Sequence, residues 1–210
     1  MMRTKAAPTR RLGVENSETR ALLVKAAARL VRDEGCSAVT ARRLAEEVGL
    51  KRQIVHYYFG TIEDLLIAVI RSGVARIHER LQRALDSAEP DEPLRVIWEM
   101  GSTVTATLFE FSALAIRREP IRIEIKRYME QYREIQSRAL QRHLQLRGIE
   151  PAVPPVVTAI VIDSIAHTLA VERAIGVTEG HAKVRAIVEE WLQAFAKVGD
   201  ASMVAARQPQ

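Results

Sequence analysis

Apolar residues recur at three- and four-residue spacing along almost the whole chain, and period-two alternation is scarce. Such a pattern buries stripes along helices and has little with which to line a sheet, so an all-α fold is expected. Glycines and prolines divide the pattern into segments. Residues 1–16 are polar and basic, and read as a flexible arm. A helix is predicted from an N-cap at Ser17 to about Glu34, with Leu22, Leu23, Ala26, Ala27, Leu30 and Val31 as its inward stripe and Gly35 as its stop. Thr40 caps a short helix over 41–48, Gly49 ends it, and a second short helix follows over Lys51–Tyr58. A long helix starts at Thr61, where Glu63 and Asp64 suit the positive end of the helix dipole, and runs to about Ser87. Beyond Pro90 and Pro93 the spacing predicts helices over 94–108, 111–117, 120–147, 156–175 and 180–198, about nine in all. Residues 199–210 read as a disordered tail.

The chain has 210 residues, 48% of them hydrophobic and 27% charged, enough to bury a sizeable core and too apolar for a disordered protein. No apolar run approaches the ~20 residues that span a bilayer. No apolar stretch follows the basic start as in a signal peptide. The one cysteine, Cys36, rules out an internal disulfide and a multi-cysteine zinc site. A cytoplasmic protein without a membrane partner is expected. The net charge of +5 is unevenly spread. Residues 1–52 hold 12 basic and 6 acidic residues, net +6, whereas the other 158 hold 19 basic and 20 acidic, net −1. A polyanion is the natural partner of such an end.

Residues 40–59, TARRLAEEVGLKRQIVHYYF, are the informative stretch. Gly49 can take the positive φ of a sharp corner between the two short helices. Ala45, four residues earlier, is small enough to let the second helix cross closely, and Val55, six residues later, can plug the gap. Leu44, Val48, Leu50, Val55 and Tyr58 share the inward face. Thr40, Arg42, Arg43, Lys51, Arg52, Gln53, His56 and Tyr57 lie outward. These are donors and aromatics, the side chains that reach phosphates and base edges in a major groove. The spacing is that of a helix-turn-helix, and the preceding helix would close a three-helix DNA-binding head.

In VTARRLAEEVGL (39–50) and YYFGTIEDLL (57–66), with Phe59 and Leu65 in the usual places, the chain resembles the TetR-like (tetracycline-repressor-like) transcriptional regulators over residues 17–67. The resemblance implies a head at 17–60 and a larger helical domain at 61–198 that binds an effector and dimerises. It implies that Thr40 touches the DNA backbone and that Arg52, Gln53 and Tyr57 reach bases or phosphates. Two positions depart from the family pattern: His56 stands where a tyrosine is usual, and Ile62 where a phosphate-binding lysine is usual. The basic arm is left to supply that charge, and Lys51, where a small Ser or Thr is common, can reach an additional phosphate.

No Gly-rich phosphate loop, nucleophile elbow or paired carboxylates point to catalysis, and neither a cofactor nor a metal is expected. Asp163 and His167, four apart on one helix face, read first as an intrahelical or interface pair and second as a ligand or metal site. The effector candidates are Trp98, Phe109, Phe111, Tyr128, Tyr132 and His167, each of which can equally be core. The last two helices carry wide apolar faces, and Ile160, Ile165, Leu169, Val184, Val188 and Trp191 are the dimerisation candidates. The expectation is a ligand-responsive homodimeric repressor of double-stranded DNA, released from a palindromic operator by a small molecule. The rivals are a helical small-molecule-binding protein or enzyme with an incidental basic head, and a membrane-surface protein using residues 1–32.

Overall fold

The computed structural model describes residues 18–87, 92–103 and 106–206, with side chains described except at 106 and 197–206. The expected arm at 1–16, the Ser17 cap and the end of the expected tail at 207–210 lie outside them. Nine α-helices are present among the described residues, and no strand: α1 (Glu18–Glu34), α2 (Ala41–Val48), α3 (Arg52–Tyr58), α4 (Ile62–Ser87), α5 (Pro93–Gly101), α6 (Ala106–Arg117), α7 (Glu119–Leu146), α8 (Pro155–Ala174) and α9 (His181–Ala206). The fold is all-α, as the periodicity requires. Three boundaries differ by several residues from the sequence reading, one being the start of α6 at Ala106, five residues before the predicted 111. The helix predicted over 94–108 ends at Gly101, where the Ser102 and Thr103 hydroxyls bond back to the carbonyls of Trp98 and Met100 and compete with the helix ladder. α9 continues through residues 199–206, which had read as a tail. By length and composition α8 could also cross a membrane, a run that Asp163 and His167 interrupt in the sequence. Here α8 is a packed helix, burying Ala159, Ile162, Ala166, Leu169 and Ala170.

The chain divides into two compact units. Unit 1 comprises the described residues up to Gly73 together with Phe109–Glu124; unit 2 comprises Val74–Leu108 and the described residues from Ile125 onward. In unit 1, α1 buries Leu23, Val24, Ala26, Ala27, Leu30 and Val31, whereas Leu22, expected inward, is exposed because the stripe is rotated toward Val24; α2 packs against both α1 and α3. The Thr40 hydroxyl accepts from the Arg43 N–H at 3.1 Å, so α2 starts on a genuine N-cap. α4 opens on a reciprocal box: the Asp64 N–H donates to the Thr61 hydroxyl at 3.0 Å, and the Thr61 N–H to the Asp64 carboxylate at 2.9 Å. On α6, the Glu110 carboxylate accepts from the Cys36 N–H at 2.5 Å. Burial and that carboxylate push the Cys36 thiol up to about 12, away from thiolate chemistry.

Unit 2 is organised by α5 lying against α8. Leu94, Ile97 and Trp98 of α5, Ile162, Ala166 and Leu169 of α8, Leu140 of α7, and Val188 and Leu192 of α9 form one buried cluster. Arg95 grips Glu189 of α9 through two nitrogens at 2.7 and 3.2 Å. α5 approaches α8 tightly at Gly101, where an added Cβ would stand 2.9 Å from both Ala166 Cβ and Asp163 Oδ1. Only hydrogen fits. Gly101→Ala is therefore expected to lower stability by about 1–3 kcal/mol. Gly73→Ala, in the interior of α4 with nothing within 4 Å of the new carbon, is expected to raise it by about 0.5–1 kcal/mol. Thermal unfolding of the two variants checks the pair, and a Gly101→Ala protein as stable as the parent contradicts the packing argument.

Candidate nucleic-acid interface and ligand cavity

The corner between α2 and α3 is set by backbone geometry. Gly49 sits at φ 67°, ψ 29°, the left-handed region that costs a residue with a Cβ about 1–2 kcal/mol. The Leu50 N–H then reaches back to the Ala45 carbonyl at 2.9 Å and closes the end of α2. Leu44 and Val55 are fully buried and Ala45 nearly so, which fixes the face that α3 turns inward. The opposite face follows by helical geometry: Lys51, Arg52, Gln53, His56 and Tyr57 are all exposed, Tyr57 by 52%. Thr40 and Arg42 are exposed at the start of α2.

The basic residues of this surface fall into two kinds. Arg43 donates to Glu34 at 2.7 Å and to Glu47 at 3.3 Å, and Arg29 lies 3.5 Å from the same Glu47. That network ties α1 to α2, and Glu34 holds the Arg43 guanidinium above its ordinary range. Arg42 is 82% exposed beside Glu46 at 3.7 Å. Among the described residues no carboxylate lies within ion-pairing distance of Lys51 or Arg52. The residue types alone could not separate Arg43 from Arg42; the separation comes from which acids α1 brings alongside. Arg20, outside the candidate set, stands 5.0 Å above the buried Phe59 ring.

Unit 2 holds a cleft of about 450 Å³ lined by Gln82, Asp86, Arg138, Arg142 and His143, and a cavity of about 190 Å³ that contains predicted effector residues. Of the six effector candidates the cavity brings together Tyr128, Tyr132 and His167. Trp98 belongs instead to the α5–α8 core, and Phe111 and Phe109 lie in unit 1, buried and half-exposed respectively. The sequence reading did not assign Ile77, Arg80, Leu108 or Arg133 to this lining, because they come from helices whose relative rotation it could not supply. Asp163, read beforehand chiefly as an intrahelical partner of His167, faces the cavity with it. Burial holds the Asp163 carboxyl above its ordinary range, opposed by the Gln136 hydrogen bond at 3.3 Å. Burial and Asp163 also push the Tyr128 hydroxyl up to about 12 and raise that of Tyr132. Behind the tyrosines, the His78 ring stacks on Tyr128 at 5.5 Å with its Nε2 buried and without a partner. Among the described residues no three His, Cys, Asp or Glu side chains gather to hold a metal.

Of the dimerisation candidates, Ile160 and Trp191 are exposed; Leu169 and Val188 are buried in the subunit's own core, and Ile165 and Val184 pack against it. Among the described side chains, Val156, Val157 and Val161 of α8, Ile175 and Val177 after it, and Ile187 of α9 are exposed as well.

Residues 23–69 match the family described as bacterial regulatory proteins, tetR family. The HTH-type transcriptional regulator BetI of Rhizobium meliloti is 37% identical over 78 residues, a match covering 37% of this chain and 38% of that protein. The chain thus spans under two fifths of that relative's length. Reduced NemR from E. coli shares the fold at TM-score 0.70 and 17% identity over 83% of this chain and 97% of the other. A regulator from Saccharomonospora viridis in complex with choline does so at TM-score 0.68 and 17% identity, over 88% and 94%. The head of the chain is thus similar to the tetR family over residues 23–69, and its all-helical fold is shared with those solved regulators.

Burial lowers the His78 pKa from its ordinary 6.5. The unfolded chain therefore takes up this proton at a higher pH than the folded one, and stability falls as pH drops through 6.5. Thermal unfolding between pH 7.5 and 5 is expected to show that slope, and His78→Asn to flatten it; an unchanged slope in the variant removes His78 as its source.

Proposed function

We propose that this protein is a DNA-binding transcriptional regulator, a homodimeric repressor whose α3 enters the major groove and which a small molecule releases from its operator. The single observation that carries the reading is the exposed face of α2 and α3, with unpaired Lys51 and Arg52 beside Gln53, His56 and Tyr57 on a rigidly capped corner. Arg42, Lys51 and the Thr40 hydroxyl would supply phosphate contacts, and Arg52, Gln53, His56 and Tyr57 the base contacts. Arg43 is committed to Glu34 and Glu47, so in this reading it positions α2 more than it neutralises phosphate. Two heads related by a two-fold axis would read half-sites at least one helical turn apart, ~34 Å.

The exposed apolar side chains of α8 and α9 support dimerisation, because surfaces of that kind are buried by a partner. The cavity in unit 2 supports an effector, and a regulator of the same fold holds choline. An effector preferring a conformation unsuited to the operator would release DNA by shifting populations. The reading assigns the chain no reaction and places it in the cytoplasm, where the DNA is.

Fluorescence anisotropy on the DNA upstream of the gene tests it. Arg52→Ala combined with Gln53→Ala is expected to bring specific binding down to the non-specific level while circular dichroism stays unchanged. Log K is expected to fall by about 0.9 per contacted phosphate for each decade of salt. Unchanged specific binding in the double variant sinks α3 as the reading helix. For the dimer, Trp191→Asp is expected to halve the mass measured by light scattering and to weaken operator binding; a mass that stays at twice that of the chain refutes the α8–α9 interface.

A further inference from the structure

We infer that the cavity of unit 2 takes a small organic cation, with its charge on Asp163 and its body against Tyr128 and Tyr132. The inference rests on the reading of this cavity as the effector site and names the chemistry that site selects. A volume of about 190 Å³ lies below the ~300–1,000 Å³ usual for ligand pockets, which favours a small occupant.

The lining carries one carboxylate, Asp163, together with Arg80, Arg133, Thr103 and His167. Asp163 is partly buried, and its hydrogen bond from Gln136 Nε2 is long, at 3.3 Å. Gln136 is fully buried, and its Oε1 has no partner. Among the described residues no lysine, arginine or histidine forms a salt bridge with Asp163. Arg80 and Arg133 also line the cavity; both are exposed, and the charge of Arg133, with that of His167, offsets part of the burial cost of the Asp163 carboxylate. His167, one helical turn beyond Asp163, lies on the same wall.

Geometry limits how the carboxylate can be reached. Gly101 of α5 closes over Asp163 Oδ1 so tightly that no side chain fits between them, and the cavity is the side left for a ligand. There the Tyr128 and Tyr132 rings, 5.7 Å apart and tilted by 43°, supply aromatic surface. A carboxylate beside aromatic rings is the combination that attracts a cation with an apolar body, through charge-assisted bonding and the ring quadrupole. The opposite occupant, a carboxylate drawn to Arg80 and Arg133, is the outcome that would reverse the assignment.

Isothermal titration of the full-length protein with three isosteres separates them: 2-phenylethylammonium, the neutral 2-phenylethanol and the anionic 3-phenylpropionate, at one ionic strength. The ammonium is expected to bind about tenfold or more tighter than either isostere. Asp163→Asn is expected to erase that preference, and Tyr128→Leu, which leaves the carboxylate in place, to weaken the ammonium severalfold. Equal binding of all three, tighter binding of the carboxylate, or undiminished ammonium binding by Asp163→Asn overturns the inference. Should Asp163→Asn fail to fold, the wild-type series and Tyr128→Leu still decide it. Operator binding measured in parallel keeps the two readings apart. A protein that binds DNA but prefers the anion loses the cation assignment and remains a regulator. One that binds the ammonium through Asp163 without releasing DNA keeps the cation and loses the effector role.

Discussion

The left-handed turn at Gly49 is the constraint on which the head depends. It allows α2 to end on its own backbone hydrogen bonds and sends α3 off at an angle that no residue with a Cβ adopts cheaply. Once that angle is set, burial of Leu44 and Val55 fixes the rotation of both short helices about their axes. A seven-residue helix has too little ladder to be stable alone, so α3 exists because its apolar side has a place to go. The exposed donors of α3 are held in register by the same packing. They occupy the outer face because the inner face is taken.

Charge in the head is organised by a second layer of contacts. Six of the twelve basic residues in 1–52 belong to α1 and α2, and acids on those helices divide them. Glu47 draws in Arg29 and Arg43, Glu34 reinforces Arg43, and Arg42 remains at the solvent edge. Exposed pairs of this kind contribute little to stability, typically about 0–1 kcal/mol each. Their effect on the surface is larger, since they separate cations committed to internal partners from cations facing outward.

In unit 2 the close approach of α5 to α8 produces both the core and the cavity. Gly101 lets the helices touch, and the packed pair carries Trp98 inward on one side and Asp163 toward the cavity on the other. Asp163 thereby ends in a setting that disfavours its charge, next to tyrosines whose hydroxyls are also disfavoured as anions. A partly buried carboxylate without a buried cation is costly to keep, which is why it reads as a binding feature more than as a packing one.

Local chemistry made most of the elements legible in advance. Thr40 as a cap, Gly49 as a corner, Thr61 with Asp64 as a helix start, and the 3.6-residue stripes of α1, α2 and α4 are all decided within a few residues of chain. So too was the division of 40–58 into an apolar and a polar face, hence the candidate DNA surface. Where the structure departs locally from these expectations, at 102–103 and 199–206, the competition was between short-range alternatives of similar strength. The tertiary structure decided what no single segment contains. It gave Trp98 to the core and Tyr128, Tyr132 and His167 to the cavity, set Leu169 and Val188 inside and Ile160 and Trp191 outside, and bound Arg43 to acids from two helices. Those outcomes depend on how helices rotate against one another, and that rotation is chosen by the sum of many long-range contacts rather than by any local preference.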